Sequence, residues 1–425
     1  MSANPRVRPL EAIPVELENR RAVILRDPWR FVTETLTVSP PVYALLSLMD
    51  GTRSVFDVQR DFREHFKGRV AASDVERLVA ELDEHYLLET ERFEGLRRRV
   101  LEEFRACPTR PAAHAGTAYE GSPDALRAQL DACWQSACSQ SADESGGNAT
   151  PSLAGEGHAV RALITPHIDP RVGGRCAARA FAALKESTPP PDLFVVFGTA
   201  HQPGESLFIL TEKPFETPLG AVEVDQAVAQ ALIAGCPFDL KQDEFLHKHE
   251  HSIEFQLIFL QHLYSGRHAF RILPILVGSF HEFLESNTMP SSWEPLDVFS
   301  RALRRALADS GRRVCYVAAA DLSHIGRKFR DDVDLSDAFI EDTRSKDREM
   351  LDHLEAGRYE DFFRFIQCDG DRQKVCGLPP IYAMLHTLGD GVRGKLLEYD
   401  LNVEEQTQSF VSYASMVFYE WGGAG

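Results

Sequence analysis

The stretch of residues 160–203 constrains the fold more than any other. It reads VRALITP-HIDP, then a helix-like segment, then DLFVVFGTA-HQP. Residues 162–165 and 193–197 are short unbroken apolar runs, the pattern of parallel strands that helices bury on both faces. Each run is followed by a histidine, so His167 and His201 sit just past strand C-termini. In an open α/β sheet that rim is where loops converge on a crevice and ligands bind. Two imidazoles at one rim point to a metal or a proton relay, whereas either alone reads as a capping or surface-loop histidine.

Length adds a second domain to this picture. At 425 residues, with 44% hydrophobic and 26% charged content, the chain exceeds one ordinary soluble domain. No window reaches 18 apolar residues and the N-terminus shows no apolar core with a cleavage site, so a cytoplasmic protein is expected. The eight cysteines (107, 133, 138, 176, 236, 315, 368 and 376) form no CxxC pair, which favours reduced thiols over disulfides or a zinc knuckle. A net charge of −18 repels a phosphate backbone, so nucleic acid is not an expected partner.

Residues 22–38 alternate around Asp27-Pro28 as a short hairpin would. Helical patterns follow at 42–49 and 54–66, and a third helix opens at Ser73 with Glu76 completing a capping box. Its apolar face is Val75, Leu78, Val79 and Leu82, and residues 86–88 begin a strand-like tail, giving the order of a small winged helix. Residues 40–92 hold seven Lys/Arg against eleven Asp/Glu, a net of −4, which disfavours DNA. Residues 94–106 read as a charged helical connector, and residues 134–158, rich in Ser, Gly and Ala, as a mobile surface loop.

Beyond the central histidines, Thr217-Pro218-Leu219-Gly220 is a turn and 226–234 a helix. In LHKHEHSIEFQLIFLQHLY the helical spacing starts at Ser252, which places His251 at a helix N-terminus with Glu254 one turn on. His247 and His249 fall in a polar segment of the kind usually found in solvated loops, so His251 is the better candidate. Residues 271–278 and 314–320 are two more buried-strand patterns, with a helix at 296–307 between them. Asp321-Leu322-Ser323-His324 then reads as a rim loop, and no G-x-S-x-G elbow supports a hydrolytic triad. Cys376 precedes Gly377 and a helix running to Leu388, a place where a thiolate is stabilised; a buried core cysteine is the alternative.

Taken in order, HAGTAY, TPHIDP, GTAHQP, TPLGAVEVD, EHSIE, AADLSHIG, VCGLPPI and VSYAS resemble the blocks of the Memo family, in its bacterial branch labelled AmmeMemoRadiSam system protein B, from about Ala113 onward. The ALLSLMDGTRSVFDV and LVAELDEHYLLE stretches resemble a PqqD-like peptide-binding winged helix. The resemblance implies residues 1–105 as a winged-helix domain with its connector, and 106–425 as an α/β domain like the class III extradiol (LigB-like) dioxygenases, with a mostly parallel central sheet flanked by helices. It implies His167, His201 and Cys376 as metal positions, and His251, His324 and Asp321 as catalytic lining of the same cleft. Two histidines and one anionic donor suit Fe(II), while the sulfur also tolerates Cu or Zn. The function implied is an iron-dependent oxygenase or oxidoreductase acting on a small molecule or peptide, with a radical SAM protein as partner. The alternative is a non-catalytic peptide- or metal-binding protein on the same cleft. Where the family commonly has PHAGY this chain has Pro166-His167-Ile168-Asp169-Pro170, which makes Asp169 an extra carboxylate near the site; Gln202 and Leu378-Pro379 replace a family histidine and an Arg-His pair.

Overall fold

A computed structural model of the chain describes residues 4–17, 20–139, 160–186 and 189–420. It divides into two compact units, Met1–Cys107 and Pro108–Gly425.

The first unit opens with an antiparallel sheet of β1 (Glu11–Leu17), β2 (Arg20–Arg26) and β3 (Leu36–Val38), in the order β1-β2-β3. The hairpin expected around Asp27-Pro28 is the β2–β3 pair, with Val23 opposite Val38. Asp27 organises its turn: the carboxylate accepts from Trp29 N at 3.1 Å and Val32 N at 3.0 Å and pairs with buried Arg8 at 3.0 Å. Helices Pro40–Ser47, Val55–Phe66, Ala72–Glu84 and Glu91–Ala106 follow. Leu45, Leu46, Val58, Phe62, Val75 and Leu82 join Val23 and Leu25 in one core.

Two expectations for this unit are corrected. The capping box is Ser54 with Asp57, not Ser73 with Glu76, because the third helix already begins at Ala72 and Ser73 lies inside its first turn. After that helix the chain turns sharply at Tyr86, with φ of 59°, and Leu88 makes only an isolated bridge to Val7 before Thr90 caps the next helix. The sheet therefore precedes the helices, and three apolar residues between two helices are too few for a ladder.

The second unit is built on an eight-stranded mixed sheet. Its strands are β4 (Val160–Thr165), β5 (Leu193–Thr199), β6 (Phe208–Leu210), β9 (Arg271–Val277), β10 (Val314–Ala319), β11 (Asp321–Gly326), β12 (Val392–Glu404) and β13 (Ser409–Glu420). A separate small hairpin joins β7 (Phe215–Thr217) to β8 (Gly220–Val222) through the expected turn. Parallel pairing holds for the central β4-β10-β5-β9 only. Antiparallel strands extend the sheet on both sides, β6 against β9 and β13 against β4, so "mostly parallel" describes the middle and not the whole. The long β12–β13 hairpin lies beside β11 and β4, because β13 pairs with β12 along one edge and with β11 and then β4 along the other. Asp321-Leu322-Ser323-His324 is consequently strand β11 and not a loop, since β13 offers it an edge to pair with.

Every residue of β5 is buried, between the helices Ser252–Tyr264 and Leu378–Leu388 that pack on it. Each fully buried large apolar side chain there contributes about 1.5–3 kcal/mol. Gly198 permits the close approach of one helix: a Cβ there would stand 2.6 Å from Ser252 Oγ, which instead donates to Thr199 O at 3.0 Å. This contact brings the start of the Ser252–Tyr264 helix to the end of β5. Of the expected loop at 134–158, residues up to Ser139 complete the helix Pro123–Ser139, and 140–158 lie outside the described residues.

Candidate metal centre

The rim that the sequence pointed to is assembled from the ends of three neighbouring strands. β4 ends at Thr165, and buried His167 follows; its backbone N–H donates to Asp321 Oδ1 at 3.0 Å, across the β4–β10 junction. Its ring Nδ1 lies 2.9 Å from Ala319 O, an atom that only accepts, so Nδ1 carries the proton and Nε2 the lone pair. β5 leads to His201, whose backbone N–H donates to Glu250 Oε2 at 3.0 Å and whose Nδ1 meets Glu250 Oε1 at 3.0 Å. His251 is the N-cap residue of the Ser252–Tyr264 helix, with Nδ1 3.1 Å from the same Oε1. The rings of His201 and His251 stack at 4.7 Å and 18°, and His167 stands edge-on to both at 5.0 and 5.3 Å.

Two donor sets result, and they share one residue. His167, His201 and His251 each place a ligating atom within 4.8 Å of the others, and so do His167, Asp321 and Cys376. Cys376 Sγ lies 3.2 Å from His167 Nε2, held there because Gly377 N donates to Asp321 O at 3.0 Å and Thr199 Oγ1 donates to Cys376 O at 3.1 Å. His201 and Cys376 thus flank His167 in different sets, and His251 joins the histidine set. A cavity of about 290 Å³ opens beside His201 and Cys376, walled by Val277, Phe280, Val375 and Leu378.

Burial governs the charges. It pushes the His167 imidazole well down, helped by the neighbouring His201 and His251, so the ring is a neutral donor. Burial also pushes Glu250 up, but the charges and hydrogen bonds of His201 and His251 outweigh it and hold the carboxylate well below the usual range. His201 is drawn upward in return: burial lowers it, and Glu250 more than offsets this. Burial raises Asp321. The Cys376 thiol is pushed well above its ordinary value by burial and then by Asp321, which corrects the expectation of a depressed thiolate. The helix beyond Gly377 is outweighed by the loss of water and by a carboxylate alongside.

Other residues singled out in the sequence have separate places. His324 on β11 has Nδ1 3.0 Å from Leu322 O, and burial lowers it to about 4. His247 is not in a solvated loop but buried, with Nε2 on Ile209 O at 3.0 Å, and burial brings it down to about 3. Asp169 caps the helix Pro170–Ala182 and pairs with Arg171, so the extra carboxylate is a structural cap outside both donor sets. Ser323 turns to buried Asp347 at 2.6 Å, which removes any triad with His324.

Sequence reasoning gave no role to the two acids that frame His251. Glu250 Oε1 lies 3.0 Å from His201 Nδ1 and 3.1 Å from His251 Nδ1. Glu254 accepts from the backbone N–H of Ala113 and His114, each at 3.0 Å, from Tyr119 OH, and pairs with fully buried Arg110. The HAGTAY block is therefore a clamp on the helix that carries His251. The available signal was the i, i+4 pair of acids around a helix start, where negative charge is favoured.

Comparison with known proteins identifies the family. A family model described as "Memo-like protein" matches residues 110–417. A MEMO1 family protein of Aquifex aeolicus is 30% identical over 398 residues, covering 93% of this chain and 96% of its own length. One from Thermus thermophilus is 30% identical over 369 residues, 87% of this chain and all of its own. One from Methanosarcina barkeri is 29% identical over 317 residues, 72% of this chain but 99% of its own, a match about as long as the second unit. On the extent of these matches, the chain belongs to the Memo family.

Proposed function

We propose that the chain is a metalloprotein whose rim centre performs non-haem oxidoreductase or oxygenase chemistry, with Fe(II) the first candidate ion and Cu or Zn the others. The observation that carries this reading is the pair of donor sets sharing His167. The residues fit such an ion: three imidazoles commit Nδ1 to an acceptor and keep Nε2 as a lone pair, while Asp321 and Cys376 add oxygen and sulfur. A mixed N/O/S set suits iron, copper or zinc. When bound, such an ion supplies a Lewis acid and, if iron or copper, one-electron redox chemistry.

The chain's own residues prepare the site. His167 stays neutral and ready to donate. Val277, Phe280 and Leu378 give the adjoining cavity an apolar wall opposite Lys374 and Asp371, which suits a small substrate or an extended side chain with both apolar and polar groups. His324 donates from Nδ1 to Leu322 O, leaving Nε2 to accept a proton, and at neutral pH it is uncharged, so it is assigned the acid–base role. His251 and Asp321 move from acid–base candidates to ligand positions.

The Met1–Cys107 unit is proposed to hold a peptide along β1, which among the described residues pairs with β2 on one edge and leaves the other for β-augmentation. A radical SAM protein is the proposed partner. No helix among the described residues is long and apolar enough to cross a membrane.

Anaerobic metal analysis followed by oxygen-uptake assays tests the reading. Iron at one equivalent with iron-dependent uptake supports the enzyme. Tightly held metal with no uptake on any candidate substrate supports the metal-binding alternative.

A further inference from the structure

We infer that Glu250 is the positioning residue of this centre: one buried carboxylate fixes the tautomers of His201 and His251 together, so that both present Nε2 to an ion. The inference rests on the metal reading above. Glu250 is 4% exposed and its oxygens are fully committed. Oε1 takes His251 N at 2.8 Å, Ser252 N at 3.1 Å and His201 Nδ1 at 3.0 Å, and it lies 3.1 Å from His251 Nδ1. Oε2 takes His201 N at 3.0 Å and lies 3.2 Å from His201 Nδ1. An ionised carboxylate only accepts, so both rings must carry their proton on Nδ1 when neutral. A metal-bound imidazole needs its second nitrogen held in this way, and losing such a partner typically costs 10–100-fold in metal affinity.

The backbone of Glu250 is fixed independently. Buried Arg110 donates from one guanidinium nitrogen to Glu250 O at 2.6 Å and from another to His247 O at 2.8 Å. The backbone that carries the carboxylate is therefore held by a group other than the histidines. Because Oε1 serves both rings, His201 and His251 are coupled, whereas His167 is set separately by Ala319 O. Glu250 also caps the Ser252–Tyr264 helix, and a purely structural role would end there.

Glu250→Gln separates the two roles. The amide keeps one oxygen for the helix cap but presents an NH₂ where the other oxygen stood. At the Oε2 position that NH₂ faces the His201 backbone N–H and lies against Nδ1, so it withdraws an acceptor from His201 and favours the tautomer with the proton on Nε2, which removes the lone pair. The test uses the full-length, metal-free protein with ¹⁵N-labelled histidine at about pH 9, above the ordinary imidazole range. Zinc alone is the probe, because it has no redox chemistry. The expected result is Nδ1–H for His201 and His251 in the wild type. In Glu250→Gln we expect His201 to switch to Nε2–H, zinc dissociation to weaken by about 10–100-fold, and His167 to stay unchanged. Nε2–H on either ring of the wild type overturns the inference even if the variant fails to fold, and so does a folded variant with tautomers and zinc affinity intact. Locked tautomers in a wild type that takes no zinc would sink the metal reading while leaving the tautomer assignment in place.

Discussion

At the scale of single residues, the centre depends on acids that are costly to bury and are retained because several groups share the cost. Glu254 shows the balance. Burial would raise its pKa, but the Arg110 charge and the hydrogen bonds from Tyr119 and Arg110 win, and the carboxyl is lowered from 4.5. A folded-state pKa below the unfolded one means that its stabilisation is fully present above pH 4.5 and is lost as the pH falls through the depressed value. Glu254→Gln should leave Arg110 buried and unpaired, destabilising the protein by about 3–5 kcal/mol near neutral pH. The gap from the wild type should narrow on acidification. Urea midpoints between pH 7 and pH 3 measure this, and a gap independent of pH would contradict the assignment. The histidines at strand ends were legible in the sequence because a buried-strand pattern stops visibly. Glu250 and Arg110 were not, since a buried ion pair or second hydrogen-bond partner is identified only by what lies across from it, here 144 residues away for Arg110 and Glu254.

At the scale of elements, the positions of the buried strands and of the helix after His251 could be read from periodicity, which reports burial directly. Pairing direction could not. The apolar run of residues 271–277 looks the same whether β5 or β6 lies beside it, yet one neighbour is parallel and the other antiparallel. β11 was hidden for a related reason: its polar residues turn to specific partners, Ser323 to Asp347 and Asp321 to the His167 N–H, and so look like a loop in isolation. The junction between β11 and the helix Leu378–Leu388 is tight at Gly377. A Cβ there would stand 2.4 Å from Asp321 O and 2.7 Å from Ala320 Cβ. Gly377→Ala must push Cys376 away from His167, so it should cost about 1–3 kcal/mol as overpacking and weaken metal binding as well. A thermal melt and a zinc titration on the same sample check it; unchanged values in both would show that the junction has slack.

At the scale of the whole molecule, the match to the Memo family accounts for the second unit, and the bacterial relatives extend across most of the chain. The first unit has its own core; its residues 40–92 carry a net of −4, and the chain as a whole carries −18. The full-length protein should therefore show no DNA binding at micromolar concentration; salt-sensitive retention of duplex DNA would contradict this. His167 belongs to both donor sets, whereas Cys376 belongs to one and burial raises its thiol, so we expect His167 to decide metal occupancy. Metal stoichiometry and affinity on anaerobically reconstituted, folded His167→Ala, His251→Ala and Cys376→Ser test this most directly. Loss of metal from His167→Ala, with weakened but measurable binding in the other two, is the predicted result; full stoichiometry and affinity in His167→Ala would contradict it.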